Sequence, residues 1–393
     1  MSLKIHFSVF SEGVGHATRA AIIARELSRR GFTTTFTASN EAAEFLRREG
    51  YQVTSVPTVD VGWGEEGGVS IRRTARNVLK SPRPFASQVA TEREAIRRAD
   101  LVISDSKLSP LVAARLSSKP CLLITNQVML TLPFSARKMK TSWVEKAAGF
   151  LSSSAWSLAD EVVVPDLPPP YSISYLNLMH PLGTRISTFI GPILDFDSVN
   201  AERREEVSRL FEIDDSRPVV FIQAAGNTWA RSALTELTRL AAPRLSKYYH
   251  IILAEGNPMG SDQPRRTEWG WRIEWCPYPE TLMSLSAVVV SRAGHTTISR
   301  ALALGKPLVL LPIRNHSEQL GNANQAVRLG VGKNLGDGAV TPEELVGAIN
   351  EVVENESYRR NAERMAGLIK RMRPLDTLAR MVEALGGGSS SFR

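Results

Sequence analysis

Two stretches of the chain place reactive residue types at spacings that could do chemistry. The first is Ser11-Glu12-Gly13-Val14-Gly15-His16, which follows an apolar run at 5–10 and opens a helical pattern. An imidazole titrates near neutral pH, so His16 is a candidate general base. Glu12 is a second candidate for the same role. Asp105 ends another apolar run, at 101–104, and could orient His16 as the carboxylate of a base–carboxylate pair. Plainer readings exist for each: His16 as a helix cap or a substrate hydrogen-bonding group, Asp105 as a turn former.

The second stretch runs from Val288 to Pro307 and reads as strand, glycine turn, helix, glycine, strand. Gly294 would let a backbone approach a ligand closely. Thr296 and Thr297 can cap the following helix, whose free N–H groups and dipole favour an anion such as phosphate. A βα turn with a threonine cap would look the same. The stretch from Pro312 to Ala323 follows a strand at 307–311 directly, at the end where open α/β sheets bind ligands. Its Glu318, Gln319 and Asn322 supply a carboxylate and two amides suited to sugar hydroxyls. A polar loop with a helix cap is the alternative there.

The elements that must position these residues follow a repeating pattern. Short β runs at 5–10, 33–37, 53–56, 101–104, 121–125 and 161–165 alternate with amphipathic helical stretches at 17–30, 42–49 and 86–99. Such alternation predicts a parallel sheet with helices on both faces. Residues 166–171 are proline-rich and cannot be regular structure. A last strand is predicted at 189–194 and a charged helix at 201–211. The pattern then restarts at 219–223. With 393 residues, two domains are expected. The fold class is α/β, with two Rossmann-like, doubly wound parallel-sheet domains. Their predicted limits are 1–200 and 201–373, followed by a helix at 374–386 and a disordered, Gly/Ser-rich tail at 387–393.

Composition narrows the function. Hydrophobic residues make up 43% and charged residues 22%, the balance of a soluble globular protein. No apolar run approaches the roughly 20 residues that span a bilayer. The N-terminus enters a strand pattern directly and is not a signal peptide, so a cytoplasmic location is expected. Cys121 and Cys276 lie far apart in apolar stretches and read as buried, reduced thiols. No metal-site spacing is present. A net charge of +8 predicts an anionic partner. The basic residues are scattered and carry no nucleic-acid-binding motif, so nucleic acid is excluded.

Taken together, the segments 288–307 and 312–323 resemble the nucleotide-sugar loop of glycosyltransferases with the two-domain GT-B fold. The nearest resemblance is to family 28, the MurG-like N-acetylglucosaminyl transferases, with family 1 a close relative. Gly13-Val14-Gly15-His16 and Phe189-Ile190-Gly191-Pro192-Ile193 match that group too. The resemblance implies two domains facing each other across a cleft, with the acceptor on the N-terminal and the donor on the C-terminal domain. It implies that Gly294, His295 and Thr296 hold the pyrophosphate, with Arg292 and Thr297 among the other donor-binding residues. Glu318, Gln319 and Asn322 would bind the donor sugar, residues 273–276, ending in Cys276, would meet the base, and Gly226 and Asn227 would open the donor domain near phosphate. It also implies inverting transfer from a UDP-sugar to a hydroxyl, with no cofactor and no metal, and the acceptor loop at Gly13 and Gly15. One position departs: the family's glutamate that binds the ribose hydroxyls is Arg300 here. Arginine donates but cannot accept. It could contact phosphate instead, the ribose could be held differently, or the chain could be a non-catalytic homologue.

The acceptor is less legible. Arg72, Arg73, Arg76, Lys80 and Arg83 form one basic stretch. Arg137, Lys138 and Lys140 precede Trp143, Val144, Ala147, Phe150 and Leu151 in a second. Basic residues beside an aromatic-rich amphipathic helix suit an anionic membrane surface, and the resemblance points to a lipid-linked acceptor there. A solvated basic face over a core helix is the plainer reading. A nucleotide-sugar epimerase and an inactive nucleotide-sugar-binding homologue are the competing functions.

Overall fold

The computed structural model describes residues 2–10, 14–57, 82–195, 199–214 and 216–387. Glu12, Gly13, the basic residues at 72–80 and residues 388–393 lie outside them.

The strands of the N-terminal half are β1 (Lys4–Val9), β2 (Thr33–Ala38), β3 (Val53–Ser55), β4 (Leu101–Asp105), β5 (Cys121–Ile124), β6 (Glu161–Val164) and β7 (Ser187–Phe189). They form one sheet in the order β3-β2-β1-β4-β5-β6-β7, with every pair parallel. The C-terminal half contributes β8 (Val219–Gln223), β9 (His250–Ala254), β10 (Arg265–Thr267), β11 (Gly270–Ile273), β12 (Ser286–Ser291), β13 (Leu308–Leu310) and β14 (Gly332–Asn334). Their order is β10-β11-β9-β8-β12-β13-β14, parallel except for the short β10–β11 hairpin. Both halves are thus doubly wound. The chain reverses winding direction between β1 and β4 and between β8 and β12, and crevices open beyond the carboxyl ends at such points.

The alternation of side chains along each strand explains the layers. In β1, Ile5, Phe7 and Val9 pack with Ala17, Ile23 and Leu27 of the helix Gly15–Arg29. His6 and Ser8 face the other way, toward the helix Pro82–Ala95, whose Glu92 is fully buried. There Glu92 accepts from Ser8 Oγ (2.6 Å), Thr37 Oγ1 (2.8 Å) and Lys107 Nζ (2.7 Å). In β8, Val219 and Phe221 enter one core and Val220 and Ile222 another. Both faces of each sheet are therefore covered, as parallel sheets require. The last helix, Pro374–Gly386, buries Leu378, Ala379 and Val382 against Ile5 and Phe7 of the N-terminal half. Arg30 and Asp376 pair at 2.7 Å along the same contact.

Several boundaries differ from the sequence-based expectation. The helix expected at 86–99 spans Pro82–Ala95 and ends in a 3₁₀ turn, Ile96–Arg98. The strand expected at 189–194 is only Ser187–Phe189, because Gly191 takes φ +87° and leaves the ladder. A side chain at 191 would also meet Met372 at 2.5 Å.

Candidate active site

The loops beyond β1, β5, β8, β12 and β13 converge on one cleft of about 800 Å³ between the two halves. Its N-terminal wall is opened by the helix Gly15–Arg29, which starts without a side-chain cap. His16 occupies its first turn, with 23% of its side chain exposed. Nδ1 of His16 lies 2.7 Å from Oδ1 of Asp105, which β4 delivers beside Val9 of β1. Arg19, one turn on, donates from Nε to Oδ2 of Asp105 at 2.8 Å and from Nη2 to Oδ1 at 2.5 Å. Nη2 of Arg19 also stands 3.1 Å from Nδ1 of His16. A guanidinium only donates, and Nδ1 must carry the proton it gives to Asp105, so that approach is a packing contact. Burial alone would raise the Asp105 carboxyl, but the Arg19 charge and the hydrogen bonds from Arg19 and His16 outweigh it and hold it well below the usual carboxylate range. An ionised Asp105 fixes the tautomer and leaves Nε2 of His16 as the free ring nitrogen. His16 also packs edge-on to Phe10 at 5.4 Å.

The facing wall is the helix His295–Ala303. Its N-cap is Gly294, which makes no side-chain cap. Thr296 and Thr297, the expected caps, sit inside the first turn and line the cleft instead. The first N–H groups of this helix therefore have no side-chain acceptor and carry the positive end of its dipole. A Cβ on Gly15 would stand 3.2 Å from Oγ1 of Thr296, so the two helix starts face each other at close range. The helix Thr228–Leu245 begins at the same cleft, capped by Asn227, whose side chain accepts from the Ala230 N–H at 2.8 Å. Gly226, at φ +103°, makes the turn before it.

Other site candidates take less direct positions. The side chain of His295 turns to Asp166 of the other half, with Nε2 to Oδ2 at 3.1 Å. That separation is an ion-pair distance without hydrogen-bond alignment. Arg292 is not a cleft wall residue: it donates to the Ala230 carbonyl at 2.7 Å, and burial lowers its pKa to about 10. Asn322 is buried behind the loop and donates to the Ala293 carbonyl at 3.2 Å, holding the turn before Gly294. Cys276 reaches the cleft, but burial pushes its thiol up to about 12, so it is chemically quiet. Glu318 and Gln319 line the cleft. Gln319 receives the Ile313 N–H at 2.8 Å. Burial lowers the pKa of His316, and the neutral ring can cap the helix Ser317–Arg328 through Nδ1.

Sequence reasoning missed Asn126 and Gln127. Their amides cross from the loop after β5 and donate to the two carboxylate oxygens of Glu318, at 2.9 and 2.6 Å. Only a weak signal, two amides following a strand end, could have flagged them. Glu280, opposite Arg300 in the cleft wall, was missed as well.

The helix Trp143–Trp156 lies beyond β5. Its inward face is Glu145, Gly149 and Ser153, while Trp143, Phe150 and Leu151 are 80%, 58% and 71% exposed. A helix normally buries its apolar stripe, and this one shows it to the outside. Exposed Leu130 and Phe134, with Arg137 and Lys138, extend the patch. Among the described residues no helix is long and apolar enough to cross a membrane.

Two facing doubly wound halves, a cleft at both winding reversals and a histidine–carboxylate pair opposite an open helix start are the features of the GT-B fold of glycosyltransferases. Residues 226–375 match the glycosyltransferase family 28 C-terminal domain, and residues 3–155 match glycosyl transferase family 1. The chain is 25% identical over 398 residues to a glycosyltransferase of Methanosarcina acetivorans, covering 99% of this chain and 100% of that one. It is 29% identical over 187 residues to the UDP-N-acetylglucosamine--N-acetylmuramyl-(pentapeptide) pyrophosphoryl-undecaprenol N-acetylglucosamine transferase of Geobacillus thermodenitrificans, covering 46% of this chain and 50% of that one. The crystal structure of the calicheamicin glycosyltransferase CalG4 shares the fold, with a TM-score of 0.69 over 99% of this chain and 100% of that one at 18% identity. The protein is a glycosyltransferase with the GT-B fold, similar to family 28 in its C-terminal half and to family 1 in its N-terminal half.

Proposed function

We propose that the enzyme moves a sugar from a nucleoside diphosphate sugar, a UDP-sugar, to a hydroxyl of a lipid-linked acceptor, with inversion and without a metal. The observation that carries this reading is the His16–Asp105 pair set directly across from the uncapped start of the helix His295–Ala303. Nε2 of His16 takes the proton from the acceptor hydroxyl as its oxygen attacks the anomeric carbon. The new C–O bond forms on the face opposite the diphosphate, and the bond from that carbon to the diphosphate oxygen breaks, which inverts the centre. The leaving diphosphate collects its charge on the N–H groups at the helix start and on the Thr296 and Thr297 hydroxyls. The relative in Geobacillus thermodenitrificans is named for a UDP-sugar and an undecaprenol-linked acceptor, which supports the donor and acceptor classes. The outward apolar face of the helix Trp143–Trp156 supports docking at an anionic membrane face.

The first test is a thermal-shift panel with UDP, GDP, TDP and ADP and their sugars, followed by product analysis. The expected result is stabilisation by UDP, which names the base, and slow release of UDP from the sugar donor in the absence of acceptor. Conversion of the sugar without release of nucleotide would make the enzyme an epimerase. Binding of nucleotide with neither reaction would make it a binding homologue. Activity surviving in EDTA is expected, and its loss would overturn the metal-independent mechanism.

A further inference from the structure

One pair of charged side chains in the cleft wall has no part in the proton transfer or in holding the diphosphate. Arg300 and Glu280 lie on two adjacent helices, His295–Ala303 and Pro279–Leu285, and both line the cleft. Nε of Arg300 stands 2.8 Å from Oε1 of Glu280, and the two side chains are only 8% and 12% exposed. The N–H of that nitrogen is not directed at the oxygen, so Nε is a buried donor without a hydrogen-bond acceptor. Each group keeps unused capacity, because a guanidinium has five N–H donors and a carboxylate about four acceptor sites. Charged groups this deep are retained at a cost unless paired or used.

Their position indicates what they would read. Thr296 and Thr297 lie one turn before Arg300 on the same helix, so the residues share a face. Trp275, Cys276 and Pro277 lie shortly before Glu280 in the chain and line the cleft as well. A helix start suits phosphates, and an aromatic edge suits a flat base. In a nucleotide the group between them is a pentose with neighbouring hydroxyls. Hydroxyl protons need an acceptor, and a carboxylate takes that role in nucleotide sites generally. Arginine cannot supply it. We infer that Glu280 is the specificity-determining residue that accepts the ribose hydroxyls of the donor, and that Arg300 is a positioning residue that holds its carboxylate. This inference rests on the nucleotide-sugar reading above.

The test compares nucleoside diphosphates matched in base, with and without the 2′ hydroxyl: UDP against 2′-deoxy-UDP, and likewise for guanine and adenine. Dissociation constants are measured by calorimetry on the whole chain. The expected wild-type preference for the ribose form is tenfold or more. In Glu280→Gln, which keeps the shape, that preference falls to within twofold while binding of the deoxy form changes little. The double variant Glu280→Gln with Arg300→Met leaves no unpaired buried charge and is expected to lose the preference too, with a melting curve that shows it folded. An unchanged preference in either variant overturns the inference, as does a wild type that does not distinguish the two forms. Failure of every nucleoside diphosphate to bind the wild type instead overturns the nucleotide-sugar reading itself.

Discussion

At the scale of single residues, the proposed chemistry rests on one proton. The His16 ring is oriented by a carboxylate that Arg19 and His16 itself keep ionised, so Nδ1 holds its hydrogen and Nε2 is free to accept one. His16→Ala is expected to leave the nucleotide-induced thermal shift intact and lower transfer by about 100- to 10,000-fold, the usual range for a lost general base. Asp105→Asn should keep the geometry but offer a donor where an acceptor was, and turnover should fall by a similar order. Steady-state kinetics beside the thermal shift check both. Full transfer by His16→Ala would remove it from the mechanism. The sign of the Asp105 shift also sets an acid limit. Its folded pKa lies below the unfolded value, so its contribution to stability is complete above about pH 4 and is lost as the pH falls below that.

At the scale of elements, the most unusual one is the helix Trp143–Trp156. Its N-terminus is secured by a capping box in which Ser142 and Glu145 satisfy each other's backbone N–H groups. Its inward face is small because it packs closely: a Cβ on Gly149 would meet Met129 at 2.8 Å and His180 at 2.9 Å. The apolar side chains are thereby turned outward. Replacing Trp143, Phe150 and Leu151 together by serine should leave the melting temperature within a few degrees, since little buried area is lost. The same variant should no longer sediment with anionic phospholipid vesicles that the wild type binds. Sedimentation equal to wild type would show that this face is not the membrane contact. β1 teaches a related lesson. Its polar residues, His6 and Ser8, are buried rather than exposed, because Thr35 and Thr37 meet the two His6 ring nitrogens and Glu92 accepts from Ser8. Burial accordingly drives the His6 pKa down to about 4. The hydrogen bonds to Thr35 and Thr37 give His6 a structural role.

At the scale of the whole molecule, the cleft is held by contacts that cross between the halves. Glu318 meets Asn126 and Gln127, His295 meets Asp166, and Arg231 meets Glu41 at 3.0 Å. Arg137 bridges to Asp337 at 2.6 Å, and Arg48 lies 5.8 Å over the Trp275 ring. Glu318, the carboxylate proposed for the donor sugar, is thus already engaged by the N-terminal half. The Gly15–Thr296 approach is the narrowest of these crossings. Gly15→Ala places a methyl 3.2 Å from the Thr296 hydroxyl. The expected result is a several-fold rise in donor KM with a melting temperature near wild type. An unchanged KM would mean that the two helix starts separate when donor binds.

The sequence by itself determined the alternation of strands and helices, and hence two doubly wound sheets. It also determined the glycine turn and helix start at Gly294, and the His16 and Asp105 candidates. These are legible because they are local: side-chain period reports burial, and glycine reports a turn. Gly294 was read correctly as the turn, yet the threonine caps were not formed, because cap choice depends on where the chain enters the helix. Only the tertiary structure decided the rest. It brought Glu280 to Arg300, Asn126 and Gln127 to Glu318, and Asp166 to His295. It also turned Arg292 and Asn322 away from the cleft wall into supporting roles. Such partners are separated by up to 192 positions along the chain. No local pattern encodes which of many polar residues will meet when two domains close, because that is set by packing of the cores behind them.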